Sequence, residues 1–99
     1  MVENSVINDS RDMALTRKDF FRILPRAVGS NSYEVDADGA TVNVGGGVVS
    51  ISLGPQQVRK IALMEVPWCQ VSFEAKGLTD VEFEEFSEHF HRRFQRGGG

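Results

Sequence analysis

The sequence predicts an α+β domain: a helix, an antiparallel β-meander of four to five strands and a second helix, with both helices packed on one face of the sheet. Three observations carry this expectation. Residues near 16–24 and 79–96 set apolar side chains at helical spacing behind capping signals, whereas residues 32–76 alternate apolar and polar with period two. Turn-forming clusters interrupt that alternation at intervals suited to hairpins. The strand–helix–strand order of doubly wound nucleotide folds is absent.

The first helix begins at Leu15-Thr16-Arg17-Lys18-Asp19-Phe20, where Thr16 can cap, Asp19 stands at the capping-box position and Leu15 can staple onto Phe20. Pro25 lacks a backbone donor and disfavours helical angles at Leu24, so the helix is expected to end there. Tyr33 and Val35 alternate ahead of the turn Asp36-Ala37-Asp38-Gly39, and Val42 and Val44 follow it, which makes a hairpin. Gly45-Gly46-Gly47 supplies the next reversal, into a strand with Val49, Ile51 and Leu53 on one face. The run from Val58 to Val66, nearly all apolar after Lys60, suits a central or two-sided strand, and although such a run alone could be helical, its β-branched residues and the closing Pro67 favour strand. Cys69, Val71, Phe73 and Ala75 then alternate with polar residues as a half-buried strand. Thr79-Asp80-Val81-Glu82 is a capping box, and Phe83, Phe86, Phe90 and Phe94 form a stripe within about 80° on the helix it opens.

The 99 residues suit one domain, expected over 15–96, between a disordered tail at 1–14 and a flexible glycine tail at 97–99. Met13, just ahead of the first helix, offers an alternative start. No signal peptide or membrane-length apolar stretch is seen, and the single cysteine excludes an intramolecular disulfide, so a cytoplasmic protein that does not engage membranes is expected. The net charge of −3 removes a general attraction to nucleic acid, though not a local one.

Motifs for chemistry are weak, and no family signature is present. His89 and His91, two apart on a helix, diverge by about 160° and do not make a ligand pair, so neither a metal nor a cofactor is expected. Cys69 shares its face with Val71 and Phe73 and reads as a buried small hydrophobe. The glycine triplet opens a strand rather than a helix and lacks the Lys-Ser/Thr of a phosphate loop. An enzyme using His89, His91 or Cys69 therefore ranks third among the readings, and no catalytic residue is assigned.

Two surfaces remain. The outer sheet face, with Asn43, Ser50, Ser52, Gln70 and Ser72 and with Trp68 at its margin, has the composition of a binding surface. This gives the leading expectation, a non-enzymatic interaction module that binds a protein partner or forms a weak homo-oligomer. The alternative draws on Arg17, Lys18, Arg22 and Arg26 of the first helix and Arg92, Arg93 and Arg96 of the second. These are seven of the chain's 11 basic residues, and they can hold an anionic partner or nucleic acid if the two helix ends lie together.

Overall fold

The computed structural model describes residues 6–97 and, within the last turn, no side chain beyond Gln95. The expected looseness of residues 1–5 and of Gly98 and Gly99 lies outside the described residues, as does the Arg96 side chain. The chain is α+β, with a six-stranded antiparallel sheet and two helices. In chain order these are β1 (Val6–Met13), α1 (Arg17–Ala27), β2 (Tyr33–Asp36), β3 (Gly39–Val44), β4 (Gly47–Leu53), β5 (Gln57–Ile61), β6 (Met64–Lys76) and α2 (Asp80–Gly97). The strands lie in the order β1-β6-β4-β3-β2, and β5 pairs with the part of β6 that extends past its neighbours.

The expected hairpins form in register. Tyr33 faces Val42 and Asp36 faces Gly39, with the Asp38 amide donating to Asp36 Oδ1 in the turn at 2.9 Å. Gly45 takes the left-handed φ of 57° that the β3–β4 turn requires. Gly47 lies so close to the Lys76 and Gly77 backbone that a Cβ there would collide with it. Both capping predictions hold: Thr16 Oγ1 accepts from the Asp19 amide, and Thr79 and Glu82 exchange bonds at 2.8 and 3.1 Å.

Alternation then builds the core. Val42, Val49, Ile51, Cys69, Val71, Phe73 and Ala75 turn inward, and Phe20, Ile23 and Leu24 of α1 join the four phenylalanines of α2 above them. Phe90, with no exposed surface, meets Phe73 edge-on at 5.5 Å and lies 4.8 Å from Phe94; Phe94 in turn stacks on Phe20 at 5.4 Å. Both helices therefore press on the same sheet face.

Three expectations need correction. Residues 6–13 are not a tail: β1 pairs with β6 along its whole length, from Val6 opposite Lys76 to Met13 opposite Cys69, and packs Ile7 and Met13 against the core. The run 58–66 is not one central strand. It folds back at Ala62 and Leu63, so that Ile61 faces Met64, and it forms an exposed arm whose second half runs on into the strand at Cys69–Ala75; the sixth strand, in place of four or five, is β1. Finally, α1 passes through Pro25 to Ala27. The ring sits exposed in the last turn, the Val28 amide still donates to the Leu24 carbonyl at 3.0 Å, and burial of Ala27 and Val28 rewards the extra turn.

Phe90→Ala should destabilise the protein by about 3–5 kcal/mol, measured by chemical denaturation, because five aromatic contacts surround a ring that nothing else can replace. A cost below about 1 kcal/mol would mean that α2 does not rest on the sheet through this ring.

Candidate interaction surfaces

Among the described residues no helix covers the second face of the sheet. Antiparallel alternation turns Asn43, Ser50, Ser52, Gln70 and Ser72 onto it, and the register sets Ser52 directly opposite Ser72 and Ser50 opposite Glu74. β1 extends the same rows with Asn8 opposite Glu74 and Ser10 opposite Ser72. Asn8, Ser10, Ser50, Ser52, Ser72 and Glu74 together line a shallow polar depression. The contribution of β1 was missed in the sequence because its inward positions are Ile7, Asp9, Arg11 and Met13. Two charges at the centre hide the period-two signal.

Trp68 lies on this face at the root of the β5–β6 arm. It is half-buried, and the Arg59 guanidinium covers its ring at 5.2 Å from the centroid. Beyond it the arm is bare. Leu63 is 102% exposed and Met64 65%, and Val58 and Ile61 are more than half exposed. Lys60 and Glu65 oppose each other across the arm just below the tip. At about 3.3 Å per residue the five paired positions of β5 reach roughly 16 Å past the sheet, in a molecule measuring 53 × 25 × 24 Å. Ala62 at the tip holds a left-handed φ of 55°, a conformation that an alanine adopts at a cost. The Gln56 side chain fixes the root: its Oε1 accepts from the Arg17 amide at 2.7 Å, and its Nε2 donates to the Leu15 and Trp68 carbonyls.

The basic residues divide into two kinds. Arg17 is structural, because its guanidinium donates to the Gly54 and Ala37 carbonyls at 3.0 and 2.9 Å and pairs with Asp38, tying α1 to the β2–β3 turn and the end of β4. Lys18, Arg22 and Arg26 are exposed on α1, where Arg22 pairs with Asp19; Arg92 and Arg93 are exposed on α2, where Arg92 lies 3.9 Å from Glu88. The Phe20–Phe94 stack brings α1 beside the end of α2 that carries Arg92 and Arg93.

The three groups weighed for chemistry are dispersed. Burial pushes the Cys69 thiol up, and the charge acting on it is the Arg17 guanidinium, which pulls the other way. His89 faces Asn31, Val44 and Glu85 on one flank of α2. His91 takes the other flank, wedged against Phe73 and Phe90 at the bottom of a cleft between β1 and α2, with its Nε2 buried and without a protein partner. Among the described residues no three histidine, cysteine or carboxylate side chains gather as a metal site, and no helix is long and apolar enough to cross a membrane. No protein-family model, curated protein or solved structure matches the chain.

Burial first, and the positive charge of Arg11 second, hold the His91 imidazole below the ordinary histidine pKa of 6.5; Asp9 opposes them. Glu88 and Arg92 also face it from its own helix. The folded state therefore takes up a proton less readily than the unfolded chain, and stability that is complete above pH 6.5 falls as the pH drops below it. Chemical denaturation at a series of mildly acidic pH values should show this loss, and His91→Gln should lessen it; an identical pH profile in the variant would contradict the assignment.

Proposed function

We propose that the protein is a non-enzymatic interaction module that binds a protein partner, or a second copy of itself, through the polar outer face of its sheet. The observation that carries this reading is the uncovered face itself, five strands wide, lined with serine, threonine and asparagine and bordered by Trp68. Small polar side chains at this density give up little conformational entropy and hydrogen-bond adaptably, and a tryptophan at the margin supplies the large apolar contact around which interfaces concentrate their energy. The apolar arm supports the same reading, because exposed Leu63 and Met64 are more favourable under a partner than in water. A reading through the basic helix ends is favoured by one observation, the Phe20–Phe94 stack that brings α1 beside the end of α2 that carries Arg92 and Arg93. Tight binding to a polyanion that weakens steeply with salt would support it in place of the sheet face.

Sedimentation across a wide range of protein concentration tests self-association, and cross-linking in extracts of the native source tests a partner. Ser52→Arg places a long cation on the centre of the face without touching the core, and Trp68→Ala removes the margin. Each should reduce association or cross-linking at least about tenfold, equivalent to roughly 1.4 kcal/mol, with an unchanged far-ultraviolet spectrum. Association that both variants leave intact would overturn the reading.

A further inference from the structure

β1 is an edge strand, and its pairing leaves one side of its backbone open. The Gly54 amide donates to the Gln70 carbonyl, so even-numbered residues of β6 direct their backbone groups toward β4 and odd-numbered ones toward β1. The β1 residues opposite those odd positions, Ile7, Asp9, Arg11 and Met13, therefore bond to β6, and Asn8, Ser10 and Asp12 present their amides and carbonyls outward. Alongside this edge, on the helix side, runs a cleft of about 640 Å³ between β1 and α2. Ile7, Phe83 and His91 give it apolar and aromatic walls. Its charges are four carboxylates, Asp9, Asp80, Glu84 and Glu88, against the guanidiniums of Arg11 and Arg92. Both arginines already have a carboxylate within reach, Asp9 at 3.3 Å and Glu88 at 3.9 Å, and among the described residues Asp80 and Glu84 have no cation.

We propose that this edge and cleft form a binding site for an extended, basic peptide segment, which adds as a further antiparallel or parallel strand to β1 and directs alternate lysine or arginine side chains toward Asp80 and Glu84. Backbone groups of Asn8, Ser10 and Asp12 supply the affinity that is independent of sequence, and the carboxylates on α2 select the side chains. The dimensions agree. From Asp80 to Gln95 the helix rises about 22 Å at 1.5 Å per residue, and six extended residues span roughly 20 Å. Asp9 and Arg11, turned inward on an edge strand, guard it against indiscriminate pairing, and the same two charges restrict which strand fits. The site shares Asn8 and Ser10 with the margin of the outer face but draws on their backbone groups and on the carboxylates of α2, so Glu84→Lys tests it without altering that face.

The probe is a capped hexapeptide alternating lysine and threonine, titrated into the full chain at low salt and followed by fluorescence anisotropy and by amide hydrogen exchange. The proposal expects binding, with slowed exchange at Asn8, Ser10 and Asp12 and none for the glutamate–threonine counterpart. Ser10→Pro removes an outward amide that serves no bond within the fold, and Glu84→Lys reverses a charge on an exposed helix position. Each should weaken binding about tenfold or more. If Ser10→Pro shifts the thermal midpoint, Glu84→Lys alone decides. No binding, binding that Glu84→Lys leaves unchanged, or protection that falls elsewhere than on β1 would overturn the proposal.

Discussion

Phe90 is where the two helices and the central strand of the sheet meet. Its ring touches Phe20 of α1, Phe73 of β6, and Phe86 and Phe94 of its own helix, and it has no surface left for water. A domain of this size has one core, and here the core is a slab of aromatic rings laid over the centre of a sheet. With both helices drawn to the same side, the opposite face is left to solvent. Its central positions are accordingly filled by serine, threonine, asparagine and glutamate, with Val6 and Val48 flanking Lys76 toward one end.

β6 extends that constraint lengthwise. Its thirteen residues outrun the slab. The half from Cys69 to Ala75 lies beneath Phe90 with β4 and β1 on either side, whereas the half from Met64 to Trp68 has only β5 beside it and no helix above. The first half follows the burial rules of a core strand, and the second carries apolar residues into water. Arg59 on Trp68 and the Gln56 bonds to Leu15, Arg17 and Trp68 mark the border between them. The surfaces proposed for recognition, the polar face, the arm and the open edge of β1, all lie where this slab of rings does not reach.

Much of the fold was legible because the sequence states it locally. Capping residues announce both helices, glycines and aspartates mark the hairpins, and the phenylalanine spacing defines the inward side of α2. What was illegible depends on tertiary context. Nothing local distinguishes Val58–Val66 as a central strand from the same residues as a bare arm, because the reversal at Ala62 uses an alanine in a left-handed conformation where a glycine or asparagine would have signalled it. β1 was missed for the opposite reason: Asp9 and Arg11 take inward positions on an edge that α2 only partly covers, so the strand does not look amphipathic. The cleft beside it was invisible for the same cause. The residues of the outer face, by contrast, follow directly from alternation along β4 and β6.

Amide hydrogen exchange of the native chain tests the division of β6 most directly. Exchange should be slowest at Ser72 and Glu74 and at Ser50 and Ser52 opposite them, whose amides form the central β4–β6 ladder and open only with global unfolding, and faster by orders of magnitude across Val58–Val66, whose opening costs no core contact. Equal protection along the whole of β6 in the isolated monomer would contradict a structure in which the aromatic core ends where the arm begins.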